Sequence, residues 1–415
     1  MIELAGRVFD VAIIGGGPGG CATALSLRQH CPALSVILFE ATRYDQIRIG
    51  ETLPPPARQL LEHLRVWEPF QAQRHRLVHG TAAAWGRTAI VENDFLLARG
   101  GSGWHVDRAL FDTMLGREAE RHGATVVTNT RVRDVTEIPG SDAIVLESPD
   151  RPGRSDSQAT GPDSPEMAGG GGAGDIHTGN PPALATAGAA RGWQLRLPNH
   201  IELAARFLVD ATGGPAHFAR QQGAVAIALD RLVGICRFVD DTSPDPRTLI
   251  EAVPDGWWYT AGLPDSRRIV AFMTDADIVQ DLHLTEERVW NRLLSETTHT
   301  AAAVNGAKAS GRLFVRPTES RRLEPAGGGN WLAVGDAAST IDPLSSQGIT
   351  KALRSGIFAS YAISDRLTNG DVAGLNRYCH FIRHEFKGYA RTRARYYADE
   401  RRWPEREFWR RRGTT

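Results

Sequence analysis

The stretch VAIIGGGPGG, residues 11–20, constrains this chain more than any other. Gly15 to Gly20 carry the spacing G-x-G-x-x-G. A strand is expected over 8–14 and a helix from about Gly17 to Gln29. A second strand, SVILFE, ends on Glu40, twenty residues past Gly20. This is the strand–helix–strand–acid order of a dinucleotide-binding half. Gly15 permits the tight turn, and Gly17 lets backbone N–H groups reach a pyrophosphate. Pro18 and Gly19 complete the loop, and Gly20 lets the helix close on the sheet. The helix N-terminus offers partial positive charge to phosphates. Glu40 can accept from a ribose hydroxyl. By itself this half-site does not separate FAD from NAD.

Two distant stretches bear on that choice. LVDATGGPAHFAR, residues 208–220, is an apolar strand running into Asp210, Thr212 and Gly213. NWLAVGDAASTIDPLSSQGITKAL, residues 330–353, is a strand ending in Gly335-Asp336, a loop with Pro343, and a helix opening at Gln347-Gly348-Ile349. An Asp at the carboxyl end of a strand can hold a ribityl hydroxyl. A helix N-terminus can face the electron-rich edge of a flavin. Together they favour a long ligand lying across the sheet, and FAD over NAD.

The 415 residues are 41% hydrophobic and 23% charged, as in ordinary globular proteins. Lys+Arg and Asp+Glu both number 48, so no global charge draws the chain to nucleic acid or an acidic membrane. Cys21, Cys31, Cys236 and Cys379 form neither a disulfide pattern nor a metal spacing. No run approaches a membrane span, and no secretory signal is recognisable. A reducing, cytoplasmic setting without a metal is the expectation.

The fold class expected is α/β: a Rossmann-like FAD domain of the glutathione-reductase type, an inserted β-sheet-rich substrate domain, and a helical C-terminal segment. The FAD domain takes residues 1–76, 101–215 and 316–365. The substrate domain takes strands from 77–100 and the region 216–315. The last segment is 366–415. The helix over 107–122, capped by Asp107, is expected to bury Leu110, Phe111, Met114, Leu115 and Ala119. DAIVLES and GWQLRL read as partners in an antiparallel sheet. Residues 150–191, rich in Gly, Pro, Ser and Ala, read as a flexible insertion. From Arg383 to Arg412 the net charge is +6, with Tyr396, Tyr397, Trp403, Phe408 and Trp409 interspersed. These aromatics either pack on the body or anchor a partner polypeptide.

Taken together these segments resemble the flavoprotein monooxygenases of the aromatic-hydroxylase type, which share a fold with flavin-dependent halogenases. The resemblance implies that Glu40 meets the adenosine ribose and that Gly335-Asp336 meets the ribityl chain. It puts Arg108, in WHVDRALFDTML, near the cofactor. Gly50-Glu51, flanked by Arg48 and Thr52 in RIGETLPP, falls near the flavin ring. Glu51 is then either a structural acceptor or a proton carrier.

DGWWYTAGLP, residues 255–264, resembles the halogenase Gly-Trp-x-Trp element, but Tyr259 stands where the second Trp is expected. One of the paired tryptophans belongs to a core, and Trp258 is taken as the one facing the flavin or substrate. Halogenases use a lysine amine on a strand downstream of the Gly-Glu. Here that strand, RLVHGTAAAWG at 76–86, has none, and Thr81 takes its place. Hydroxylation by a flavin C4a-hydroperoxide needs no amine. His79, His105 and Trp85 come from neighbouring segments, and His79 is the best polar candidate for the pocket.

RIGETLPP, HGTAAAWG, GWWYTAGLPDSRRIVAFMTD and YYADERRWPEREFW together resemble a narrower group. These are the FAD monooxygenases that mature tryptophylquinone cofactors in quinohemoprotein amine dehydrogenases or lysine-oxidase-type enzymes. That resemblance implies hydroxylation of a tryptophan side chain in a partner polypeptide. Dioxygen is the co-substrate, and NAD(P)H or an external flavin reductase is the electron donor. A halogenase, a small-molecule hydroxylase, a non-oxygenating flavin reductase and a flavin-containing assembly factor are the alternatives.

Overall fold

The computed structural model describes residues 4–46, 48–95, 101–138 and 192–413. Its main sheet is built on five parallel strands, in the order Trp331–Ala333, Glu202–Asp210, Val8–Ile14, Val36–Phe39 and Thr125–Val127. Val8–Ile14 lies in the middle, and Val11, Ala12 and Ile13 are fully buried. Such a strand needs both faces covered. Helix Pro18–His30 is the crossover to the next strand. Helix Gly348–Asn369 packs against it, at a contact where a Cβ on Gly356 would overlap the Gly19 carbonyl.

The second sheet has seven strands. Leu232–Asp240, Gly256–Gly262, Arg267–Asp275, Thr248–Val253 and Ala309–Pro317 join Gly80–Ala84 and Val91–Asp94. The segment 76–86 is not one strand. Arg76–Val78 pairs with Gly103–His105 in a separate small sheet, and the chain changes sheets at His79. Gly80 then lies so close to Asn93 that a Cβ would strike its carbonyl oxygen.

Two further expectations need correcting. Asp107 does cap helix Arg108–Arg121, its carboxylate accepting from the Leu110 N–H at 3.1 Å, but Leu110 is exposed. The buried arc is centred on Leu115 and takes in Asp112 and Gly116, which leaves Leu110 on the far side. GWQLR, at Gly192–Arg196, pairs with Asp134–Ile138 and with Glu202–Asp210. DAIVLES and the insertion 150–191 lie outside the described residues.

Helix Ala373–Asp399 packs along helix Gly348–Asn369, and its C-terminal end together with helix Glu407–Gly413 folds onto the second sheet. Tyr397, Phe408 and Trp409 are buried there, and Trp403 packs against them. Arg412 and Asp275, both buried, form an ion pair at 2.6 Å. Of the tail's aromatic residues Tyr396 is the exposed one.

Candidate active site

A cavity of about 940 Å³ opens where the carboxyl ends of the parallel strands face the second sheet. Ligands of open α/β sheets bind at such strand ends. The glycine loop forms one end. Gly15 has φ +116°, and a Cβ there would overlap the Ala211 carbonyl oxygen. A Cβ on Gly20 would overlap the Gly15 carbonyl oxygen, so the helix cannot seat with any larger residue. Gly17 faces open space within the cavity lining. The first two glycines are set by the protein's own packing, and Gly17 is left for a ligand.

Glu40 anchors the adjoining wall. Its Oε2 accepts from the Gly16 N–H at 3.1 Å. Its Oε1 accepts from Thr42 N–H at 3.0 Å, from the Thr42 hydroxyl at 2.6 Å and from Arg48 at 2.8 Å. Oε2 has one donor against three on Oε1 and so keeps an acceptor position for a ribose hydroxyl. Arg48 reaches on to Asp112 Oδ2 at 2.7 Å. Asp112 is fully buried and also holds Arg108, at 3.0 and 3.2 Å. Arg108 in turn donates to the Ile49 carbonyl at 2.7 Å. One chain of charges therefore runs from the ribose end to the loop carrying Gly50, Glu51 and Thr52. Asp112 is the member the sequence reading missed. Its signal was the i, i+4 spacing to Arg108 on a helix.

Glu51 is 3% exposed, and neither of its carboxylate oxygens has a protein partner. Burial pushes its pKa up to about 7, against the pull of Arg108. A buried carboxyl group without a partner, lining a cavity, is a group awaiting a ligand.

Beside the glycine loop the cavity is lined by Thr212 and Gly213 and by Gly335 and Asp336, with Gly335 against Gly19, and the lining continues through Pro343, Gly348 and Ile349. Helix Gly348–Asn369 aims its N-terminus into this space. Gln347 caps that helix but is not among the lining residues. Asp210 is structural: it accepts from Thr212 and from Ala219 N–H, and so shapes the loop that follows its strand. Asp336 is paired with Lys351 at 2.9 Å.

Four residues expected at the reacting end lie elsewhere: Trp258, His79, Trp85 and His105. Gly256–Gly262 alternates faces, with Trp257 and Tyr259 on one side and Trp258 on the other. Trp258 is sealed between Phe272 and Trp290, centroids 5.0 and 5.1 Å away, on the side remote from the cavity. Tyr259 is the member of this stretch that lines it. His79 is exposed at the change of sheets, 3.1 Å from the Ser102 hydroxyl, and does not border the cavity. Trp85 donates to the Tyr396 carbonyl in the C-terminal cluster, and His105 is buried behind Tyr259. The wall beyond Glu51 consists of Cys236, Tyr259, Ile269, Ala271 and Met273.

The glycine loop, the open acceptor on Glu40, the unpartnered Glu51 and the long helix's N-terminus fit FAD. Residues 8–151 match the FAD-binding domain family. The chain is a flavin-dependent oxidoreductase. It is 28% identical over 412 residues to LodB of Marinomonas mediterranea, described as an FAD-dependent oxidoreductase, covering 97% of this chain and 96% of that one. Its fold is that of the myxobacterial chondrochloren halogenase CndH, with a TM-score of 0.80, 21% identity and coverage of 99% and 86%. It also resembles QhpG, a peptidyl tryptophan dihydroxylase essential for tryptophylquinone cofactor biogenesis. There the TM-score is 0.64, with 21% identity and coverage of 98% and 79%. At these identities the two structures establish the fold of this flavoprotein. Among the described residues, no helix is long and apolar enough to cross a membrane.

Proposed function

We propose that this flavoprotein is a monooxygenase that hydroxylates an electron-rich aromatic ring, the tryptophan side chain of a partner polypeptide during tryptophylquinone biogenesis. The observation that carries the reading is the amine-free reacting wall. The chain has three lysines, Lys308, Lys351 and Lys387. Lys351 is bound by Asp336 and by the Ser339 carbonyl, and the other two are exposed. None is among the described residues lining the cavity. The halogenase tool, a lysine amine beside the substrate, has no counterpart there.

Reduced FAD, when bound, supplies the electrons that activate dioxygen. NAD(P)H or a separate flavin reductase would be the donor. The chain's own residues do the rest. The backbone N–H groups of Gly17, Gly19 and Gly20 would hold the pyrophosphate, those of Gly15 and Gly16 being donated within the protein, and Glu40 the ribose. Thr212, Gly213, Asp336 and the Gly348 helix N-terminus hold the ribityl chain and ring edge. Ile269, Ala271 and Met273 keep the reacting end dry, which protects an activated oxygen from water. Glu51 can hold or release a proton near neutral pH.

The likeness to QhpG supports the tryptophan assignment. Halogenation is the second reading, favoured by the likeness to CndH. Supplying the FAD-loaded, reduced protein with heavy-isotope dioxygen and a tryptophan substrate separates them. Labelled oxygen on the indole supports hydroxylation, and a halogenated ring without label contradicts it.

A further inference from the structure

Behind the cavity wall runs a chain of hydroxyl groups whose hydrogen-bond direction is fixed at one end. His105 is fully buried. Its Nδ1 lies 2.8 Å from the Gly262 carbonyl oxygen, which can only accept, so Nδ1 carries the hydrogen. Burial, helped by the nearby Arg76 and Arg268 cations, pushes its pKa down to about 4, and the ring is neutral at ordinary pH. The other ring nitrogen, Nε2, is then an acceptor.

One arrangement makes all three remaining hydrogen bonds of the row at once. Thr248 Oγ1 lies 2.9 Å from His105 Nε2, and the threonine must donate its one hydrogen there. Thr52 Oγ1 lies 3.3 Å from Thr248 Oγ1, so Thr52 donates to Thr248. Tyr259 lies 3.1 Å from Thr52, whose hydrogen is already committed, so the phenol donates to Thr52. Burial holds the Tyr259 pKa above the usual phenol value, which keeps that hydrogen in place. The phenol hydrogen is spent inside the wall. Only the oxygen's lone pairs are left for the cavity that Tyr259 and Thr52 line.

We infer that Tyr259 is an acceptor-only post for a ring N–H, so that the substrate class is an aromatic ring bearing an unsubstituted N–H, as in indole, and N-alkylated or N–H-free rings are disfavoured. This rests on the aromatic-hydroxylation reading and adds to it the residue that recognises the ring. Ile269 and Ala271 carry no side-chain acceptor and the Met273 sulfur is a weak one, so the acceptor to be told apart from Tyr259 at this end is Glu51, which Tyr259→Phe does. Phenylalanine at 259 would keep the ring and remove the post.

The test compares N-acetyltryptophanamide with its N1-methyl derivative on the FAD-loaded protein, by equilibrium binding. The wild type is expected to favour the free N–H ligand about fivefold or more, the worth of one net hydrogen bond. Tyr259→Phe is expected to bring that preference close to one. Thr248→Val leaves the phenol in place but lets Thr52 turn its hydrogen toward Tyr259, and it should narrow the preference as well. A wild type without preference, no binding of the free ligand, or full preference retained in Tyr259→Phe overturns the inference.

A second readout needs no ligand. Nitrogen NMR of His105 should show a neutral ring protonated at Nδ1 across the neutral range. A hydrogen on Nε2 reverses the chain and overturns the inference. Failure of the hydroxylation reading has a different signature: binding keeps its N–H preference while no oxygen enters the indole.

Discussion

Arg108 donates through Nη1 to the Ile49 carbonyl oxygen at 2.7 Å. The first residue of one helix thereby fixes the loop that carries Glu51, and Asp112, one turn on, holds Arg108 in place at 3.0 Å. The ribose end and the reacting end of the cavity thus share a single buried anion.

Removing that anion is expected to be costly. Asp112→Ala leaves Arg48 and Arg108 half-buried without their shared partner, and breaking such a pair costs about 3–5 kcal/mol. Chemical denaturation should show a loss in this range, and FAD affinity should fall with it. Unchanged stability would mean that the two arginines find other partners.

Gly17→Ala and Gly20→Ala should separate ligand contact from packing. Nothing lies within 4 Å of a Cβ on Gly17, whereas one on Gly20 meets backbone. Gly17→Ala is expected to fold with near wild-type stability and bind FAD weakly. Gly20→Ala is expected to lose about 1–3 kcal/mol or more of stability. Thermal melts with and without FAD read both effects.

Glu51 makes the flavin-free protein sensitive to pH. Its folded pKa of about 7 lies above the ordinary carboxyl value of 4.5, so the folded state binds the proton more tightly. The resulting stability is fully present below pH 4.5 and is lost as pH rises through 7. The whole effect is roughly 3 kcal/mol. Glu51→Gln, which mimics the protonated carboxyl, should flatten this part of the stability profile and be the more stable protein at pH 8 or so. Denaturation midpoints measured across the acid-to-neutral range check it.

Tyr397 links the C-terminal segment to the cavity. Its hydroxyl accepts from Trp257 Nε1 at 3.1 Å and donates to Asp342 Oδ2 at 2.7 Å, and Asp342 lines the cavity. Tyr397→Phe leaves a buried indole N–H and weakens the hold on a buried carboxylate. A loss of about 1–3 kcal/mol is expected in chemical denaturation. FAD should also dissociate faster, because the Pro343 loop loses a support.

What could be read from sequence was whatever obeys short-range rules. The phosphate loop, the strand before it and Glu40 follow from local spacing and lie within a few residues of where they were expected. Gly335-Asp336 and Gly348 were legible because a strand, a tight turn and a helix start each leave a local mark. The reacting end was not legible in this way. Whether Trp258 or Tyr259 meets the cavity depends on which face of one strand is turned inward, and a one-residue change of register exchanges them. His79 was misplaced because the chain changes sheets there, through a long-range pairing of Gly80 with Asp94. Asp112 shapes the site through side chains that converge from separate segments. For the basic aromatic tail the sequence left packing and docking both open, and tertiary packing turns Tyr397, Phe408 and Trp409 inward.

The central claim, that this flavoprotein places oxygen on a tryptophan side chain, is tested most directly by intact-mass analysis of the polypeptide captured with it from the native host. The same polypeptide from a host lacking the flavoprotein serves as reference. The account predicts a gain of one or more whole oxygen masses, mapped by fragmentation to a tryptophan and absent from the reference. A halogen mass on that residue, or a stable complex whose partner has the same mass in both hosts, would contradict it.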